Sequence, residues 1–377
     1  MGIGLYIHIP FCRQKCSYCD FPSYSNMEEL YGSYTTALRR EIAAQGILYA
    51  DCRVVSVYMG GGTPTVLPLQ QILMIINDVK KQFSLAEDVE WTMEANPGTV
   101  TAASLYALLA AGINRISYGI QSFDDDLLCR LGRIHTAEEG RGAVKLARMA
   151  GFTNISLDLM FDLPGQSVDV WRNTLETAVS LEPAHISAYG LKIEEGTDFD
   201  ECLRRDLICL PPDEEQEAMY DLTTRFLPQQ GFERYEISNY AREGRKSLHN
   251  CRYWQSEPYV GLGAAAHSYY EGVRTANTED VRRYIEMIQQ GLSPVEYSEI
   301  TDNRTAMAEY SFLALRTSDG IRLTDFSQRF SADFNQCFGK QVQILTKQGL
   351  LEVSPDVVRL SELGMKYGNQ VFCSFLP

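Results

Sequence analysis

Three cysteines stand at C-x3-C-x2-C spacing in the stretch CRQKCSYCDF: Cys12, Cys16 and Cys19. On a loop just after a strand-like run, three thiolates so close in sequence can wrap one inorganic centre. A structural zinc normally closes its tetrahedron with four N or S ligands. The nearby imidazole, His8, alternates with Ile7 and Ile9 along a strand, which makes a Cys3His zinc site the weaker expectation. A [4Fe-4S] cluster suits thiolates better. With three protein ligands it keeps one iron uncovered, and a substrate or cofactor can bind there directly. The position two past Cys19 is Phe21, where another cysteine would have closed the set.

The elements that must carry this loop alternate through the first half of the chain. Short β-branched or aromatic runs at 4–9, 54–60, 89–95, 115–120, 154–160 and 185–191 read as strands. Helical segments lie between them, among them 28–46, 102–112 and 137–151, each ending in Gly. Six βα units in series imply parallel strands joined by right-handed crossovers. A doubly wound sheet and a barrel both satisfy that pattern. Where a dinucleotide-binding fold would place its glycine fingerprint, the cysteine cluster stands instead. Groups on parallel βα folds collect at the C-terminal strand ends, and GGGTP (60–64), Glu94, Gln121 and Asp158 occupy such ends, with Arg133 in the loop beyond Gln121.

After residue 192 the rhythm breaks into an acidic, Pro-rich loop, a helix over 213–229, and short strands and turns over 233–275. The last block reads as helices with a small hairpin, a winged-helix-like α+β module. Residues 324–377 hold five Lys/Arg and five Asp/Glu, which leaves no net positive charge for a phosphate backbone. Three parts are expected: 1–240, a connecting segment 241–300, and a C-terminal domain 301–377. The 377 residues carry a net charge of −15, which argues against nucleic acid and anionic lipid as general partners. No apolar run approaches the ~20 residues a bilayer span needs. The N-terminus shows no export signal, and Tyr6 breaks the myristoylation pattern begun by Met1-Gly2. Seven further cysteines are scattered singly, as buried free thiols in a reducing cytoplasm are.

The cysteine loop, with Tyr18 before its third Cys, resembles the signature of radical S-adenosylmethionine (SAM) enzymes. The stretches LYIHIPFCRQKCSYCDF and GGGTPT narrow the likeness to the coproporphyrinogen-oxidase-like branch. That resemblance implies a partial (β/α)6 barrel, with SAM chelated to the open iron and cleaved by an electron from the cluster. It implies Cys12, Cys16 and Cys19 as cluster ligands. Tyr6, Tyr18, Gly61, Gly62, Thr63, Glu94, Gln121, Arg133 and Asp158 are implied as SAM contacts.

Within the branch, the oxygen-independent coproporphyrinogen III oxidases extend their signature to a fourth cysteine and carry an N-terminal extension. Here Phe21 holds that place and eleven residues precede Cys12. The chain is more similar to the sister group, the HemW haem chaperones, which share CDF and an HNxxYW motif, present as HNCRYW at 249–254. The resemblance implies haem, haem-acceptor proteins such as respiratory enzymes and a reducing electron donor as partners. A cytoplasmic setting, with at most peripheral membrane contact and no coproporphyrinogen oxidase activity, is expected. His249 is the candidate haem ligand, with Cys251 and His267 as further candidates, and Tyr253 and Trp254 could pack on the porphyrin. The oxidase activity itself and a non-catalytic iron–sulfur electron carrier stand as alternatives.

Overall fold

The computed structural model describes residues 2–376. Six parallel strands alternate with helices in chain order: β1 (Gly2–Ile9), α1 (Tyr31–Leu48), β2 (Arg53–Gly61), α2 (Leu69–Gln82), β3 (Ser84–Ala95), α3 (Ala102–Ala110), β4 (Arg115–Gln121), α4 (Asp125–Arg130), α5 (Ala137–Met149), β5 (Asn154–Phe161), α6 (Val168–Ser180) and β6 (His185–Gly190). These are the six βα units expected, in spatial order β1 to β6, as the partial barrel requires. Caps fix where the helices begin. Thr101 with Ser104 and Thr136 with Glu139 form capping boxes at α3 and α5, and Ser167 caps α6.

Strand parity separates two environments. Leu5, Ile7, Val57, Met59, Trp91, Met93, Ile116, Tyr118, Leu157, Leu159 and Ile186 join one large core with the faces of the covering helices. The alternate positions are polar: Tyr58, Glu94, Ser117, Asp158 and Ser187 among them. The register sets Tyr58 beside Thr92, Glu94 beside Ser117, and Asp158 beside both Gly119 and Ser187. One side of the sheet is thus a hydrophobic core, and the other is a polar concavity.

Beyond β6 come α7 (Asp198–Arg204), α8 (Asp213–Gln229), β7 (Glu233–Arg234), β8 (Asn239–Ala241), α9 (Leu248–Trp254), β9 (Tyr259–Leu262), β10 (His267–Tyr270), β11 (Val273–Asn277), α10 (Val281–Gln289) and β12 (Val295–Ile300). The segment 241–300 does more than connect. Its strand β9 pairs in parallel with β1, and β10 to β12 continue outward as antiparallel strands, so the whole sheet has twelve strands. Buried Glu41 on α1 ties this extension down. Its carboxylate accepts from Gly263 N (2.7 Å), Asn277 Nδ2 (2.7 Å) and Tyr284 Oη (2.6 Å).

The remainder forms a second core: α11 (Asn303–Leu315), β13 (Ile321–Arg322), α12 (Leu323–Phe330), α13 (Phe334–Lys347), β14 (Leu351–Val353), β15 (Val357–Leu360), α14 (Glu362–Lys366) and α15 (Gly368–Cys373). Its three-stranded sheet, ordered β13-β15-β14, and helices give the winged-helix-like α+β domain. Phe326, Phe330, Phe334 and Phe338 pack ring on ring at its centre. Among the described residues, no helix is long and apolar enough to cross a membrane.

Candidate functional site

The chain leaves β1 and turns through the cysteine loop, which the backbone clasps on both sides. Cys12 N donates to Tyr24 O (2.9 Å), Ser17 N to Leu131 O (3.1 Å), and Phe199 N to Ser17 O (2.9 Å). The glycine-rich turn after β2 is held against it: Gly62 N donates to Ile9 O and Thr63 N to Phe11 O. A Cβ at Gly62 would lie 2.6 Å from Phe11 O. At Gly61, φ is +110° and a Cβ would lie 2.4 Å from His8 Cε1. Glycine is required here because two backbones and an imidazole must pass this close.

A cavity of about 480 Å³ opens at the C-terminal ends of the six parallel strands. Cys12, Cys16, Tyr18, Cys19, Gly61, Gly62, Thr63, Glu94, Gln121, Arg133 and Asp158 all line it, and Phe21, 62% exposed, stands at its rim. Eleven of the residues picked from the sequence therefore meet in one chamber. Tyr6 does not reach it. One position deeper in β1, its ring stacks on Tyr58 at 6.3 Å and its hydroxyl bonds His8 Nδ1 (2.9 Å), which corrects its expected role as a SAM contact.

The donor set discriminates between metal centres. The cysteines are free thiols, yet among the described residues no three His, Cys, Asp or Glu side chains gather closely enough for one metal ion. His8 has both ring nitrogens engaged, by Tyr6 and by Pro22 O (2.9 Å), and burial lowers its pKa to about 4. This excludes the Cys3His zinc arrangement. Thiols that share a chamber without converging on a point fit a cluster, whose irons are ligated separately. Arg133 Nη1 lies 3.3 Å from Cys16 Sγ, Thr63 Oγ1 3.6 Å from Cys12 Sγ, and Ser23 Oγ 3.9 Å from Cys19 Sγ. Burial pushes the Cys12 and Cys19 thiols up, and the hydroxyl neighbours ease them back.

The strand-end carboxylates are equally constrained. Glu94 accepts from Tyr58 Oη (2.7 Å) and Gly61 N (3.1 Å); burial raises it to about 7, against those bonds and helped by Asp158. Asp158 accepts from Ser117 Oγ (3.1 Å) and is likewise raised by burial. Arg133 is fixed by Asn96 Oδ1 (2.7 Å) and Gly119 O, which aims its charge at the cysteine loop. Gln121 sits at φ +64°, in the left-handed region, where the strand ends and the chain turns. Sequence reading missed Tyr58, Asn96, Arg115, Ser117, Ser187, Tyr189 and Asn250, which also line the chamber. Their signal was parity: a polar residue two positions from a recognised one in an otherwise apolar strand.

The HNCRYW motif forms α9. His249 is buried, and both its nitrogens are taken, Nδ1 by Ser56 Oγ (3.0 Å) and Nε2 by Tyr253 Oη (2.9 Å). Desolvation lowers its pKa to about 3. The expectation that His249 ligates haem iron is corrected by this arrangement: the imidazole has no free nitrogen and lines none of the cavities described. It locks α9 to β2 instead. His267 is exposed at the start of β10, far along the sheet extension.

Residues 6–178 match the Radical SAM superfamily, and residues 301–366 match the HemN C-terminal domain. The chain is 36% identical over 372 residues to heme chaperone HemW of Bacillus subtilis, covering 98% of each. It is 33% identical over 374 residues to heme chaperone HemW of Lactococcus lactis, covering 98% of this chain and 96% of that one. The solved structure of coproporphyrinogen III oxidase (HemN) from Escherichia coli, a radical SAM enzyme, has TM-score 0.87 at 22% identity, covering 99% of this chain and 89% of that one. That likeness is one of fold.

Proposed function

The chain belongs to the radical SAM superfamily and, within it, to the family of proteins named heme chaperone HemW, and from that membership we propose that it binds haem and passes it to acceptor proteins, with a SAM-binding [4Fe-4S] site that does not decarboxylate coproporphyrinogen. The observation that carries this reading is the chamber itself. Three separate thiols meet strand-end carboxylates and a buried arginine there, and Phe21 occupies the rim where a fourth thiol would stand.

Cys12, Cys16 and Cys19 would ligate the cluster. When bound, a [4Fe-4S] cluster with one uncovered iron supplies a coordination position for SAM and an electron to it. Gly61, Gly62 and Thr63 let the backbone approach a ligand without a side chain between. Glu94 and Asp158 offer acceptors to an ammonium and to hydroxyls. Glu94, raised to about 7, surrenders its proton most readily when a cation arrives beside it. Arg133 places a fixed positive charge next to Cys16, which suits an anionic cluster and a carboxylate. Tyr18 and Gln121 complete the lining.

Haem is cargo in this account. Its acceptors are haem proteins of the respiratory kind, its electrons come from a reducing donor, the setting is cytoplasmic, and contact with membranes is peripheral at most. The test is anaerobic reconstitution with iron and sulfide. A [4Fe-4S] spectrum that changes when SAM is added supports the site, and a spectrum indifferent to SAM sinks it.

A further inference from the structure

Helix α9 separates two cavities. Asn250 lines the chamber of the cysteine loop, while Cys251 and Trp254 line a second cavity of about 640 Å³, walled on its far side by the C-terminal domain. The two bodies are held together around it. Arg329 on α12 donates to Gln255 O (2.8 Å) just past α9, and the Arg316 guanidinium lies 4.6 Å from the centre of the Trp254 ring.

Four features of this cavity match one ligand chemistry. It is large enough for a drug-sized or porphyrin-sized molecule. Trp254 and Tyr310 supply aromatic surface to it. Lys246 and Arg322 supply cations, and Arg322 has no ion-pair partner among the described residues. Trp254 Nε1 is a buried donor with no hydrogen-bond partner, in a place where an acceptor is needed. Cys251 adds the soft donor, a free thiol that faces the cavity. A flat apolar ring system with carboxylates at its edge and a metal at its centre uses all of these.

We propose that this cavity between α9 and the C-terminal domain holds the haem, with Cys251 Sγ as an iron ligand and Lys246 and Arg322 receiving the propionates. The placement rests on the haem-chaperone reading above. It assigns the iron ligand to the residue two beyond His249 and leaves the imidazole its structural bonds. On binding of ferric haem, the Fe–S bond forms as the water on iron leaves, and the thiol proton passes to solvent. Iron and sulfur keep their oxidation states. The haem would then lie across one helix from the chamber at the strand ends.

The test is a haemin titration of the full-length protein, read by the Soret band and by quenching of tryptophan fluorescence, on wild type, Cys251→Ser and Gln328→Trp. Gln328 is exposed on α12 and lines the cavity, so the indole fills the space at little cost to the fold. The expected result is at least a tenfold weaker affinity for both variants, with the Soret position of bound haem also moved in Cys251→Ser. If wild type takes up haem and either variant matches it in affinity and spectrum, the placement is overturned while the chaperone reading stands. If wild type takes up no haem, the chaperone reading itself falls.

Discussion

Gly61→Ala is the sharpest single perturbation of the site. Residue 61 has φ +110°, a region that an L residue enters only with strain of about 1–3 kcal/mol. The new Cβ would also stand 2.4 Å from His8 Cε1 and 2.5 Å from Nδ1. The imidazole cannot swing aside freely, because it bonds Tyr6 Oη and Pro22 O at 2.9 Å each. Overpacking of this kind costs about 1–3 kcal/mol, and each hydrogen bond given up costs about 0.5–1.5 kcal/mol. The total is about 3–6 kcal/mol, a large share of the usual 5–15. Because Pro22 lies in the cysteine loop, the displacement reaches the cluster ligands. Gly98→Ala is the control: its φ is +81°, but nothing lies within 4 Å of the added carbon. Urea denaturation of the two variants should differ by at least about 2 kcal/mol, and only Gly61→Ala should lose iron after reconstitution. Equal stabilities, or full iron loading of Gly61→Ala, would refute the close contact between the glycine turn and His8.

Glu41→Ala leaves three buried donors without an acceptor, those of Gly263, Asn277 and Tyr284, and should cost at least about 3 kcal/mol in denaturation; a loss under 1 would mean that the sheet extension is not fastened through α1. His249, held neutral with a pKa of about 3, takes up a proton in the unfolded chain below pH 6.5, so its contribution is whole above that pH and fades as the pH falls toward 3. The stability gap between wild type and His249→Gln should therefore narrow by about 1.4 kcal/mol per pH unit from 6.5 down to 5. A gap independent of pH would contradict a neutral, desolvated imidazole. Cys16→Ser should lose cluster iron and visible absorbance after reconstitution, and a cluster retained at wild-type iron content would remove Cys16 from the ligand set.

Much of the site was legible because its residues are rare in type or fixed in spacing. Three cysteines on one loop, a run of glycines and a lone carboxylate at the end of an apolar strand stand out against β-branched sequence. Tyr58, Ser117 and Ser187 did not, since a hydroxyl in a strand is ordinary until the register shows which face it takes. The six parallel strands were legible from their buried, β-branched runs. The extension β9 to β12 was harder to see: its strands are short, and most of β12 is exposed, so its alternation carries no core signal. His249 misled for a related reason. An imidazole among aromatic residues reads as a ligand, whereas Ser56, which occupies its Nδ1, lies 193 positions away in the chain.

The account's central claim is met most directly by one anaerobic preparation of reconstituted protein, assayed side by side for haem uptake and for decarboxylation of coproporphyrinogen III in the presence of SAM and reductant. Stoichiometric haem uptake without protoporphyrinogen formation is the predicted result. Turnover of coproporphyrinogen III, with or without haem bound, would contradict it.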